Sequence, residues 1–153
     1  YAVKGSKGAD CPIDNPLQIP AHKYSGKVLA SGKEIVRTTP KFERGRLLGN
    51  VVFVSGTAAI KGENSELSDD ARVQADEAID VVEHLVEPSN ISQDCSGFRF
   101  DLIRVYVRRS KDMKIVRDVF TAHFGNIPIH FLTADICRPE LLLELEGIGH
   151  CDR

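Results

Sequence analysis

Between Ser68 and Pro88 the chain places Ala71, Ala75, Ala78, Ile79, Val82, Leu85 and Val86 at three- and four-residue spacings, the period of a helix with one apolar face. Ser68 is positioned to cap its start, Asp69 and Asp70 occupy the positive first turn, and Pro88 ends it. A stripe of that length must be covered, and the flanking sequence supplies a sheet to cover it. Asn50 to Ser55 is rich in β-branched and aromatic residues and lies between Gly49-Asn50 and Gly56, which predicts a strand. From Phe100 to Arg108, Ile103, Val105 and Val107 alternate with Arg104, Tyr106 and Arg108. A second helix is predicted from Lys111 to Phe124, with Ile115, Val116, Val119, Phe120 and Phe124 on one face and Gly125 as its C-terminal cap. Strands follow near His130 to Ile136 and Leu141 to Leu145, the latter with Leu141, Leu143 and Leu145 on one side and Leu142, Glu144 and Glu146 on the other. A further strand or hairpin is predicted from Lys27 to Arg37. The order β-β-α-β-α-β-β implies an α+β fold, a single mixed sheet with two helices packed on one face.

At 153 residues one domain is expected. Residues 1–25 contain Gly5, Gly8, Pro12, Pro16 and Pro20 with little periodicity, and read as an extended arm or linker before a domain at 26–153. The chain starts at Tyr1, so a portion upstream of it is expected. A net charge of -2 argues against a general nucleic-acid binder. No apolar run is long enough to predict a membrane span, and the N-terminus lacks the apolar core of a signal peptide. Cysteines 11, 95, 137 and 151 form neither a CxxC pair nor a zinc spacing, so reduced thiols in a cytoplasmic protein are expected. Histidines 22, 84, 123, 130 and 150 show no HxH or HExxH pattern, and no P-loop or GxGxxG segment occurs. Neither a metal nor an organic cofactor is therefore expected.

Glu144 is the most informative position for chemistry. An ionised carboxylate between leucines in a strand is costly unless it is paired or faces a pocket. Such a group can have a raised pKa and move protons; the alternative is a solvent-facing side chain, as Glu146 on the same side would suggest. Cys137 adjoins Arg138, and a neighbouring cation can lower a thiol pKa, although strand neighbours point to opposite faces. Arg104, Arg108 and Arg109 offer guanidinium forks for a carboxylate. Ser55 lies in FVSGTA, which is not a GxSxG elbow, and Gly56 permits close backbone approach.

In sequence order, VVFVSGTAAI (51–60), the Gln74-bearing DDARVQADEAIDVVEHLV, RVYVRR, VFTAHFG and LLLELEGI resemble the RidA/YjgF family over about residues 40 to 148. That resemblance implies a chorismate-mutase-like/YjgF-like fold and homotrimers with ligand clefts between neighbouring subunits. The cleft would be lined by Phe42, where the family often has Tyr, Ser55, Gly56, Arg117, where Asn is common, and Glu144. RidA-type imine deaminases carry a Pro-x-Arg segment for the substrate carboxylate. Here it reads IPIHFLTAD, with Ile129 and His130, and a neutral histidine cannot replace that charge.

NPLQIPAHKYS (15–25), PKFERG (40–45), SGTA (55–58), YVR (106–108) and ADICRPELLLELEG (134–147) resemble the C-terminal domain of chorismatases more closely. This narrower resemblance implies release of pyruvate from chorismate by protonation of its enol ether, with Glu144 as general acid and Cys137 as a second catalytic group. Phe42, Ser55, Gly56, Thr57, Arg108, Arg117, His130 and Arg138 would contact a small carboxylated substrate. No cofactor, nucleic-acid or membrane partner is implied. Two other readings stay open: a RidA-like protein, whether imine deaminase or translation inhibitor/endoribonuclease, and a non-catalytic trimeric ligand-binding domain.

Overall fold

In the computed structural model, which describes residues 10–25 and 40–152, the apolar stripe forms helix α1, Ala71–Val86. Its cap is Asp70, two residues beyond Ser68. The Asp70 carboxylate accepts the Arg72 N–H at 2.8 Å, and Ser68 turns the chain before it by accepting the Asp70 N–H at 3.2 Å. An anion at the helix start adds a dipole contribution that serine lacks. Pro88 ends α1 and opens the single-turn α2, Pro88–Ile91. After a 3-10 turn at Ser110–Asp112, α3 runs over Met113–Phe124. It stops at Gly125, whose φ of 63° lets its N–H reach the Thr121 carbonyl at 3.0 Å.

The strands are β1 (Asp10–Ile13), β2 (Gly45–Leu48), β3 (Val51–Thr57), β4 (Ile60–Lys61), β5 (Asn64–Ser65), β6 (Gly97–Val107), β7 (Ile129–Thr133) and β8 (Leu143–Asp152). Six make one sheet in the order β1-β2-β3-β8-β6-β7, and β4 with β5 makes a small separate hairpin. Only β6 and β7 run parallel, joined across α3, so the sheet is mixed as the element order implies. The strand expected from Lys27 to Arg37 lies outside the described residues. Within the segment read as an arm, β1 is the edge strand of the sheet, and Asn15 is buried with its side-chain amide donating to the Val81 carbonyl at 2.7 Å. Residues 10–15 therefore belong to the folded body.

Strand β8 lies between β3 and β6. Leu143 and Leu145 point to the helix face, where they meet Val52, Val54, Ile103 and Val105 together with Ala75, Val82, Val116 and Phe120. Glu144 and Glu146 alternate onto the opposite, helix-free face. The alternation does not extend back to Leu141 as the sequence suggests, because the strand begins at Leu143. Leu142 joins the main core, whereas Leu141 packs with Ala58, Ala59, Ile60 and Ile136 in a second cluster.

The expectation of four reduced thiols requires correction. Cys95 and Cys151 form a disulfide with Cα atoms 5.5 Å apart, while Cys11 and Cys137 are free. The pair is 56 residues apart in sequence and becomes adjacent only when β6 and β8 pair, with Phe98 opposite Cys151. Spacing rules cannot see such a contact. No described helix is long and apolar enough to cross a membrane.

Gln74, fully buried on α1, ties the helix to the approach to β8. Its Nε2 donates to the Ser68 and Glu140 carbonyls at 2.8 and 2.9 Å, and its Oε1 accepts the Leu142 N–H at 2.8 Å. Gln74→Ala leaves these buried groups unmatched and should cost about 1–3 kcal/mol, read from the urea unfolding midpoint at unchanged m-value.

Candidate active site

Strand β3 does not pair evenly with β8. Val54 faces Gly147 and Thr57 faces Leu145, so Ser55 and Gly56 together oppose the single residue Glu146. This is a β-bulge, a device that redirects side chains at a strand end. The Thr57 hydroxyl donates back to the Ser55 carbonyl at 3.0 Å, and the Ser55 N–H donates to the Arg44 carbonyl at 3.0 Å. The Glu144 carboxyl lies directly over Gly56: a β-carbon at position 56 would stand 2.1 Å from Glu144 Oε1. A side chain at position 56 would have to displace the Glu144 carboxyl from this seat.

Burial pushes the Glu144 carboxyl above the usual carboxylate range, and the charge of Glu146 pushes it further. Among the described residues Glu144 has no hydrogen-bond or ion-pair partner. Glu146, two residues along on the same face, has two: the Tyr106 hydroxyl donates to its Oε1 at 2.6 Å, and Arg104 Nη2 lies 2.9 Å away. That hydrogen bond, followed by burial, raises the Tyr106 pKa and keeps the phenol protonated. Two carboxylates on one strand thus occupy different surroundings, one met by two donors and one left without any.

Cys137 is beside Glu144 electrostatically. Burial of its sulfur is the largest cause of a raised thiol pKa and the Glu144 charge the second, while Arg138 pulls the other way and loses. Of the two readings left open by the sequence, the lowering by Arg138 is therefore the weaker influence on the Cys137 thiol, and the residue as a whole is exposed. The Arg138 guanidinium turns elsewhere, donating from Nη1 to the Glu63 carbonyl at 2.8 Å and to Ser65 Oγ at 2.9 Å. Arg108 holds the loop that carries both residues. Its Nε donates to the Leu141 carbonyl at 2.8 Å, and its Nη2 to those of Ile136 and Arg138 at 2.5 and 2.8 Å.

Phe42 is exposed, with the Arg44 guanidinium 5.0 Å from its ring centre. Ser55, Gly56, Thr57, Glu144 and Cys137 therefore come together at the bulge, whereas the Arg138 guanidinium and the exposed Phe42 have their contacts elsewhere and Arg108 holds the loop. Two further candidates do not join them. Arg117 is on α3, its guanidinium 4.8 Å from the ring of Phe131 at the β7 edge. His130 is on β7 opposite Arg104, with all of β6 between it and β8, which is about 10 Å across the sheet. Among the described residues no group of three His, Cys, Asp or Glu is placed to hold a metal ion.

A groove of about 320 Å³ runs along the helix-free face beside the bulge, lined by Phe53, Ser55, Leu102, Arg104, Glu146 and Ile148. A larger one, about 610 Å³, lies between the ends of α1 and α3 against Phe98, Phe100 and Phe124, away from Glu144. The smaller groove shares Ser55 with the bulge, whereas Glu144 itself lines neither groove. Sequence reasoning missed Tyr24, which lies in the segment read as an arm, and Arg44, which looked like one of several charges in PKFERG. It also missed the Tyr106–Glu146 bond, which exists only through the pairing of β6 with β8.

No protein-family model matches the chain. A 3-hydroxybenzoate synthase from Streptomyces hygroscopicus is 32% identical over 97% of this chain and 46% of its own length. A chorismatase crystal structure superposes with a TM-score of 0.75 at 27% identity, over 92% of this chain and 44% of that one. A YjgF-family structure from Mycobacterium tuberculosis, 19% identical, gives 0.60 over 93% of this chain and 99% of its own. This is a YjgF-fold chain that resembles chorismatases in sequence. It spans about half the length of the curated relatives it matches.

The seat of Glu144 is testable directly. In carbon-detected NMR the Glu144 carboxyl should titrate above the usual glutamate range, and Gly56→Ala, which forces it out toward water, should bring it back. An unchanged titration in the variant would contradict the geometry.

Proposed function

We propose that this chain supplies the proton-transfer site of a chorismatase-like enzyme, which releases pyruvate from chorismate or a closely related carboxylated enol ether. The observation that carries the reading is the half-buried Glu144 carboxyl seated on Gly56, with its pKa raised. It stands beside Cys137, whose thiol pKa is pushed up by burial, inside the sequence block that most resembles chorismatases. Enol ethers are cleaved by proton addition to carbon, and the donor must be a neutral acid at working pH.

In the proposed reaction Glu144 gives its proton to the enolpyruvyl methylene carbon. The carbon–carbon π pair forms the new C–H bond, and positive charge spreads onto the ether oxygen. Water adds to the oxidised carbon and returns a proton to the Glu144 carboxylate. The resulting hemiketal then collapses to pyruvate and the ring alcohol, with proton transfer onto the departing oxygen. The negative Glu144 left after the first step is oriented to stabilise the cation. A neutral Cys137 would serve as a hydrogen-bond donor rather than a nucleophile, and the reaction balances without a metal or an organic cofactor.

Arg117 and His130, which lie away from Glu144 within one chain, would contribute to a cleft completed by a neighbouring subunit of a homotrimer. What supports this is their place on or against β7, the edge strand of the sheet. The imine-deaminase alternative has no observation in its favour, since Ile129-His130 stand where that activity would need arginine.

Glu144→Gln should lower pyruvate release by at least about 100-fold while the circular dichroism spectrum is kept; undiminished release would sink the proposal. In the unmodified protein, kcat should fall as pH rises through the Glu144 pKa, because the acid form is the donor. The linked effect on stability has the same direction. A carboxyl whose pKa is raised by folding binds its proton more tightly folded than unfolded, so stability falls as pH rises from the usual glutamate pKa through the raised one. Glu144→Gln should abolish that fall in thermal melts across the window.

A further inference from the structure

The groove of about 610 Å³ opens between the C-terminal ends of α1 and α3, on the helix-covered side of the sheet. Its floor is aromatic. The half-buried rings of Phe98 and Phe124 stand nearly perpendicular to the buried Phe100 that both contact, with ring centres 4.8 and 5.7 Å from it. His123 meets Phe124 edge-on at 4.7 Å. Edge-to-face packing settles these rings on one another, yet Phe98, Phe124 and Ile127 still line an open groove. A hollow of this size with an apolar floor and a few polar groups at its rim is the usual form of a small-molecule site.

The rim suits a cation. Glu83 and Glu87 line the groove at the end of α1. The backbone ends of both helices add the partial negative charge of their unshared carbonyls, roughly half an elementary charge each. The groups of opposite sign are already engaged. Arg99, the one arginine or lysine in the lining, holds Asp152 at 3.0 Å. His123 Nε2 meets Glu83 Oε1 at 2.7 Å, and His84 Nδ1 meets the Asp80 carbonyl at 2.8 Å, with the Asp80 carboxylate 3.5 Å away. Among the described residues no side chain meets the Glu87 carboxylate. We infer that this groove binds an organic ammonium ion with an aromatic or branched apolar body. The body lies on Phe98 and Phe124, and the ammonium meets Glu87 and the two helix ends; ring faces attract the same charge. A carboxylate in that position would face Glu83 and Glu87, and a fully polar molecule would leave the phenyl floor wet. The sheet separates this groove from Glu144 and the bulge, so the inference does not rest on the function proposed above.

The probe is 2-phenylethylammonium, compared with 2-phenylethanol and 3-phenylpropionate, which keep the phenyl body and change the head from cation to neutral to anion. Each is titrated into the purified chain and followed by amide NMR shifts, which report where it binds as well as how tightly. The ammonium should shift the amides of Glu87, Phe98 and Phe124. It should bind there about 5- to 10-fold tighter than the alcohol, the size of an exposed ion pair plus a cation–ring contact. The propionate should bind there more weakly than the alcohol. Glu87→Gln, at an exposed side chain with no partner to lose, should erase most of the preference for the ammonium and leave the alcohol unchanged. Phe98→Leu should weaken ammonium and alcohol alike; because Phe98 also packs on the core, Glu87→Gln carries the test if that variant does not fold. Shifts confined to Ser55–Thr57, or no shifts at all, would overturn the inference. Equal affinity for the ammonium and the alcohol, or ammonium affinity unchanged in Glu87→Gln, would overturn it as well. So would movement of the same amides with protein concentration alone, which would assign the groove to a second copy of the chain.

Discussion

The insertion of the last strand, β8, between β3 and β6 is the constraint on which this structure depends. Those two strands are separated in sequence by α1 and are parallel to each other, each antiparallel to β8. Until β8 arrives there is one hairpin-like layer on one side and a β6–α3–β7 unit on the other, with no ladder between them. Closing that gap buries Leu143 and Leu145 against both helices, places Glu144 over Gly56 and brings Cys151 to Cys95. Such long-range pairing bears a large loop-closure entropy before any contact compensates it. The Gln74 hydrogen bonds to Glu140 and Leu142 fix the start of β8 and offset part of that cost.

The same insertion produces the chemical asymmetry of the site. Strand alternation sends Glu144 and Glu146 to one face, and cross-strand pairing decides their environments. Arg104 and Tyr106 on β6 face Glu146 and Glu144 in register, yet both bond to Glu146. Glu144 receives the bulge instead, where a glycine admits it and no donor meets it. A single extra residue in β3 therefore separates a carboxylate with two partners from one with none.

How much of this was legible in the sequence follows from the range of the interactions. Periodicity gave both long helices and the strands at Val51, Phe100 and Leu143, because each depends on neighbours within a few residues. The Asp70 cap, the start of β8 at Leu143 and the inward turn of Leu142 were misplaced by one or two positions, since caps and strand ends are chosen by tertiary hydrogen bonds. Glu144 stood out as a carboxylate among leucines, and Gly56 as a close-approach residue, but nothing local said that one would rest on the other. The balance at Cys137 stayed open for a similar reason: Arg138 is adjacent in sequence, whereas burial and Glu144 act through space. Tyr24 lay in a stretch without periodicity, and its value appears only when Arg44 and Arg138 reach the same ring.

The helix-free face explains why the site belongs at this edge of the molecule. Phe53 and Leu132 are each more than 40% exposed on it, beside the half-buried Leu102 and Ile148 and the ion pair of Arg104 with Glu146. A sheet covered by helices on one side only leaves such apolar groups against water unless another surface meets them. Catalysis by a general acid needs the opposite of an open face, because a raised carboxyl pKa persists only where water is scarce. Glu144 is set back from the open sheet within one chain, over the bulge of β3 and beside the loop that Arg108 holds. On the function proposed above, a surface that covered the sheet would deepen that desolvation, so assembly and acidity at Glu144 would be coupled through the same exposed face.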